Sequence, residues 1–191
     1  MTMKRIISIA FAIVMTVMFS YRLDAQGFGA PEYMKGKFVL GGIANLGFAN
    51  NCFHVGIAPQ AGYRLTRNLE IGARLGYDMR YYNSKYSMYG SYFAHFFSGA
   101  VYASYEIFSG IYVQVEDEEI CSLYSSHETG ITTPNWYNSL FVGGGFRQYF
   151  GESSYTYYSI MYNLSWDYRF NGNECPYASP FVIRIGFCKG L

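Results

Sequence analysis

Phe53-His54-Val55-Gly56-Ile57-Ala58-Pro59-Gln60-Ala61-Gly62-Tyr63-Arg64-Leu65 is followed, after Thr66-Arg67-Asn68, by Leu69-Glu70-Ile71-Gly72-Ala73-Arg74-Leu75-Gly76-Tyr77-Asp78-Met79-Arg80-Tyr81. Every second residue from Phe53 to Leu65, and from Leu69 to Tyr81, is uncharged and mostly large and apolar. The residues between them carry Arg64, Glu70, Arg74, Asp78 and Arg80, spaced by glycines. A period of two is that of a β-strand, whose side chains alternate between faces. The break at Thr66–Asn68 predicts a tight turn, and hence a hairpin. Its arms are long, greasy on one face and charged on the other. That combination suits a sheet with lipid outside and a packed polar interior.

Composition agrees. Only 14% of the 191 residues are charged and 20% are aromatic, whereas a soluble domain carries charge at about a quarter of its positions. Aromatic richness argues against disorder. A net charge of +1 gives nucleic acid no electrostatic handle. No stretch has the roughly 20 apolar residues of a spanning helix, so a membrane reading rests on strands.

Residues 1–25 read as a secretory signal peptide: Lys4 and Arg5, an apolar run from Ile6 to Phe19, and a small residue at the end of Leu23-Asp24-Ala25. Residues 26–36 form a lead-in, and residues 37–188 the barrel, with a tail at 189–191. The strands expected besides the opening hairpin are Gly36–Ala49, Ser91–Ile107, Ile111–Glu116, Ser139–Arg147, Tyr155–Phe170 and Ser179–Phe187. Asp117–Trp136 reads as a long irregular segment. About eight strands result. Their links alternate between short (Thr66–Asn68, Phe108–Gly110, Gly151–Ser154) and long (Tyr82–Gly90, Asp117–Trp136, Asn171–Ala178), apart from a short first link at Asn50–Cys52. Short turns at one end and longer loops at the other are expected of an up-and-down barrel inserted from the periplasm.

Unpaired amides are costly in hydrocarbon, so the sheet must close. Eight strands leave an interior just wide enough for side chains. Its expected filling is Arg64, Arg74, Arg80, Arg147, Arg169 and Arg184 against Glu70, Asp78, Glu106, Glu116 and Asp167, a structural salt-bridge network with no lumen left over. Aromatic girdles are expected from Tyr77, Tyr81, Tyr168 and Phe170 at the outer interface and Tyr63, Tyr105, Phe150 and Phe187 at the inner one.

With its signal peptide, alternation and turn asymmetry, the chain resembles the small outer-membrane β-barrels of the OmpA-domain and OmpX type. Ser179-Pro180-Phe181-Val182-Ile183-Arg184-Ile185-Gly186-Phe187 resembles the family's C-terminal insertion signal, carried by Phe181, Ile183, Ile185 and Phe187, although Cys188-Lys189-Gly190-Leu191 follow where the family usually stops. The resemblance implies recognition by the barrel-assembly machinery and a place among the lipids and lipopolysaccharide of a Gram-negative outer membrane. It brings no shared catalytic residues.

No constellation points to catalysis, a cofactor or a metal. His95 and Ser98 would suit a lipid A deacylase, but three residues apart they fall on opposite faces of a strand. His54 near the outer mouth and His127 in a loop read as solvated. Glu116-Asp117-Glu118-Glu119 offers carboxylates for calcium without an EF-hand spacing. Gly143-Gly144-Gly145 lacks the Gly-Lys-Ser/Thr of a phosphate loop. Cys52, Cys121 and Cys175 are expected in outward loops and Cys188 at the opposite end. Cys121–Cys175 would tie two loops, although the sequence leaves connectivity open. The leading expectation is a monomeric structural or surface-interaction barrel whose tyrosine-rich outer loops meet a surface ligand. An enzyme on outer-leaflet lipid A is the alternative, and a small-solute pore a third reading.

Overall fold

The computed structural model describes residues 36–49, 52–82, 91–126, 130–131, 134–150, 153–166, 176–177 and 179–191. The expected signal peptide, together with Asp167, Tyr168, Arg169, Phe170, Cys175 and His127, lies outside them. The chain runs through β1 (Phe38–Ala49), β2 (Cys52–Arg64), β3 (Leu69–Tyr82), β4 (Tyr92–Phe108), β5 (Ile111–Ser126), the two-residue β6 (Gly130–Ile131), β7 (Asn135–Phe150), β8 (Ser154–Asn163) and β9 (Phe181–Gly190). Each strand pairs antiparallel with the next, β6 aside, and β1 pairs with β9. The result is a closed eight-stranded up-and-down barrel, with β6 a short extension on β5.

The opening hairpin folds as its alternation predicts, with Arg64 opposite Glu70 and Phe53 opposite Tyr81. Thr66 holds its turn by accepting the Asn68 and Leu69 amides on its hydroxyl. At Pro59, which has no amide hydrogen, the β2–β3 pairing is interrupted between Ile57↔Tyr77 and Gln60↔Arg74. Gly110 takes a positive φ of 85° in the β4–β5 turn, a conformation glycine adopts without steric penalty.

The two faces of the wall differ as a barrel in lipid requires. Leu75 is 70% and Ile183 72% exposed, and Phe38, Ile57, Val101, Val113, Ile160 and Phe181 join them on the outside. Arg64, Glu70, Glu106 and Glu116 are almost fully buried inside. So extensive an apolar exterior is stable in hydrocarbon and not in water. Aromatic pairs mark its edges. Phe150 packs on Phe187 at 5.7 Å and Phe38 on Tyr63 at 5.0 Å towards the short turns; Tyr81 packs on Phe93 at 5.0 Å and Tyr162 on Phe181 at 5.2 Å towards the long loops.

Three boundaries depart from the sequence reading. The segment Asp117–Trp136 is not irregular throughout: β5 continues to Ser126 and β7 begins at Asn135, paired from Asp117↔Leu140 to Ser122↔Asn135. Cys121 therefore stands in a strand rather than a loop. The strand expected to reach Phe170 stops at Asn163. There Asn163 accepts the Ser165 amide on its side-chain oxygen, and Leu164 and Ser165 form an exposed turn. β9 runs on to Gly190, so Lys189 and Gly190 pair with Leu40 and Val39 instead of forming a tail.

Candidate functional site

Alternation aims the polar set into the lumen, where it separates into two layers. Near the short turns, Arg64 and Arg147 face Glu70 and Glu106. Arg64 Nε lies 3.2 Å from Glu70 Oε2, Arg147 Nη2 lies 3.4 Å from the same oxygen, and both guanidiniums lie within 3.8 Å of Glu106 Oε2. Tyrosines complete this layer. Tyr102 and Tyr155 each donate to Glu70 at 3.1 Å, and Tyr149 donates to Glu106 at 2.5 Å. The Arg147 guanidinium lies over the Tyr112 ring at 4.5 Å. Removing charges from water is costly unless each finds counter-charge and hydrogen bonds, and here each carboxylate finds both. Glycines make room for the rings: the Tyr102 hydroxyl sits where a Cβ on Gly62 or Gly72 would go, 2.8 and 2.5 Å away.

The second layer crosses the barrel from β3 and β9 to β5. Arg74 and Arg184 both donate to Glu116, the latter at 2.5 Å, and lie 3.8 and 3.7 Å from Glu118. Glu118 is a member of the interior set that the sequence reading left in a loop. The acidic run is thus split by the strand: Glu116 and Glu118 point in, while Asp117 and Glu119 point out and share the Asn138 side-chain amide at 2.8 and 2.9 Å. The four carboxylates do not converge as a calcium site would need.

Asp78 and Arg80 lie nearer the long loops, bonded to each other at 2.7 Å, with His54 3.5 Å from Asp78. Among the described interior residues, the five arginines Arg64, Arg74, Arg80, Arg147 and Arg184 each lie within ion-pair distance of a carboxylate. From above, the segment Pro176–Tyr177 turns into the mouth. Arg80 donates to the Pro176 carbonyl at 2.8 Å, Tyr177 donates to Glu118, and Trp166 Nε1 donates to the Tyr177 carbonyl at 3.2 Å. Burial, reinforced by Glu118, holds the Tyr177 phenol well above its ordinary pKa.

The described residues do not fill the interior throughout. Between the two layers a void of about 10 Å³ remains, room for no more than one water. Towards the long loops a chamber of about 570 Å³ opens, lined in part by Asn45, Arg74, Asp78, Phe96, Glu118 and Tyr177. Gly76, Ala58 and Ser98 are among the small residues that line it, and the expected fillers Asp167 and Arg169 lie outside the described residues.

Other expected groups fall apart. His95 sits opposite Met79 on the outer face, its Nδ1 3.0 Å from the Tyr77 hydroxyl, and Ser98 sits opposite Gly76 on the inner face, with unbroken register between them. Cys121 has no disulfide among the described residues, and Cys188 is buried, its sulfur 2.9 Å from Gln60 Nε2. Gly143, Gly144 and Gly145 lie within β7 and bring its backbone close to its neighbours. The interior tyrosines had no signal in the sequence, since tyrosines stand on both faces.

No family model and no curated protein matches the chain. Among solved structures it is similar to the N-terminal β-barrel domain of Pseudomonas aeruginosa OprF, with a TM-score of 0.50 and 12% identity over 82% of this chain and 98% of that one. The chain has an OmpA-type barrel fold. At this identity the likeness concerns the OmpA-type architecture alone, and activity must be argued from the interior.

Proposed function

We propose that the protein is an integral outer-membrane barrel of a Gram-negative bacterium, exported by a cleaved signal peptide. It serves a structural or surface-interaction role, as a monomer, through the loops at its long-loop end. The observation that carries this reading is the Arg64–Glu70–Glu106–Arg147 layer with its tyrosines, separated from the Arg74–Glu116–Arg184 layer by a void of only about 10 Å³. A solute path along the axis would have to break several buried ion pairs at once, each costing on the order of 3–5 kcal/mol. The short-turn half then acts as a rigid post in the membrane, leaving recognition to the other end. A lipid A hydrolase built on His95 and Ser98 has against it their placement on opposite faces.

Purified refolded protein in planar bilayers tests the reading. No steady conductance is expected, and a stable open channel would overturn it. A mass spectrum of lipid A from cells with and without the gene should be unchanged; altered acyl chains would replace the structural role with an enzymatic one.

A further inference from the structure

The barrel wall is not sealed along its whole height. β1 and β9 pair from Val39↔Gly190 to Ile43↔Gly186, and no further pairing joins them among the described residues. Beyond that point β1 continues against β2 to Ala49↔Cys52, and β9 continues against β8 to Tyr162↔Phe181. The two strands therefore part at the level of the chamber. Asn45, whose place in the alternation turns it inward, is nonetheless exposed. Ile43, Asn45, Val182, Ile183 and Arg184 all line the chamber, so its wall is the gap itself.

Among the described residues, side chains obstruct the axis in both directions. The lower ion-pair layer closes the floor, and Pro176 and Tyr177 are tied across the mouth by Arg80, Glu118 and Trp166. Among the described residues the remaining route runs sideways, between Ile43 and Ile183. The rim is apolar and the chamber behind it is mixed, with hydrogen-bonding groups at Asn45, Ser98 and His54 beside Phe96 and Ile120. Unpaired backbone facing hydrocarbon is unfavourable, and a polar group in the gap would satisfy it. At about 570 Å³ the chamber falls in the range of small-molecule sites, roughly 300–1,000 Å³.

From this we propose that the parting of β1 and β9 is a lateral portal through which a single-chain membrane amphiphile places its head group in the chamber while its tail stays in the bilayer. The head carries no net charge. Arg74 and Arg184 are already matched by Glu116 and Glu118, and Arg80 by Asp78, so an added charge would find no free counter-charge. The proposal rests on the membrane placement given above but not on the absence of a channel.

The test uses the full chain in phosphatidylcholine vesicles with lysophosphatidylcholine carrying a photoreactive group beside the head. Cross-links are expected on inward residues such as Phe96, Ile120 and Val182. The double variant Ala44→Cys/Ile185→Cys, with the native cysteines changed to serine, continues the β1–β9 register as a disulfide. Oxidised, it should lose inward labelling at least tenfold, and reduction should restore it. Ser98→Phe, which fills the chamber from β4, three strands away from the seam, should lose inward labelling to the same extent. Lysophosphatidylglycerol should label inward sites several-fold less. Labelling confined to outward residues such as Val101 and Val113 overturns the portal, as does inward labelling that survives both variants. Equal inward labelling by the anionic lipid overturns the uncharged head. Outward labelling in every arm reports that the barrel is still inserted, which separates failure of the portal from failure of the membrane reading.

Discussion

Arg184 on the last strand reaches across the lumen to Glu116 on β5, with Nη1 2.5 Å from Oε2 and both side chains almost wholly buried. β9 and β5 are not neighbours in the wall. The pair is therefore a strut between opposite sides, and Arg74 from β3 joins it at the same carboxylate. Glu116→Ala should leave two guanidiniums short of their counter-charge and lower unfolding free energy by about 3 kcal/mol or more. Urea titration of vesicle-inserted protein, read by the gel shift between folded and boiled forms, measures it. Arg184→Ala combined with Glu116→Ala should cost less than the two separately; strict additivity would mean that the strut carries no energy.

Glu70 gathers Tyr102 and Tyr155 as well as Arg64 and Arg147. Tyr102→Phe should cost about 1 kcal/mol, the usual value of one hydrogen bond or slightly more to a charged acceptor. Glu70→Ala should cost at least twice that, because two arginines lose their common partner. Equal losses in the same denaturation assay would contradict the layer described.

Gly186 on β9 lies under the Tyr157 ring, and a methyl group added there would overlap it. Gly186→Ala should destabilise the barrel by roughly 1–3 kcal/mol through overpacking. Adding Tyr157→Leu, which withdraws the ring, should recover part of that loss. Absence of any recovery would place the strain in the backbone instead.

Asp117 and Glu119 point outward from β5. Asp117 is six residues past Ile111, about 15 Å up a tilted strand, within an apolar band about 25 Å tall. Asp117→Val should raise stability in phosphatidylcholine vesicles by about 1 kcal/mol, since acidic residues on the lipid face of a barrel are mildly unfavourable. A loss of stability would mean that the Asn138 bridge outweighs the exposure.

These two carboxylates also explain where the sequence is opaque. Periodicity is visible only while the faces differ. From Glu116 to Glu119 acids stand on both, so β5 loses its contrast although its pairing with β4 and β7 is unbroken. β8 errs in the other direction. Leu164 and Trp166 prolong the alternation, but Asn163 turns the chain, and turn chemistry overrides the hydrophobic pattern although β7 runs on to Asn135 alongside. Arg64, Glu70, Arg74, Glu106, Arg147 and Arg184 were legible as interior residues because glycines and apolar neighbours isolate them. The tyrosines that complete their hydrogen bonds were not, since a phenol suits a membrane interface and a polar core equally. The chamber was illegible because it depends on how far β1 and β9 stay together, a tertiary property that no local pattern encodes.

β4 and β5 have 17 and 16 residues, whereas β8 and β9 have 10 each. At about 3.3 Å per residue and a tilt near 40°, the difference raises one side roughly 15 Å above the other. Among the described residues the strand wall is thus cut obliquely, like a scoop, with β4 and β5 as its tall blade and β8 and β9 as its low lip.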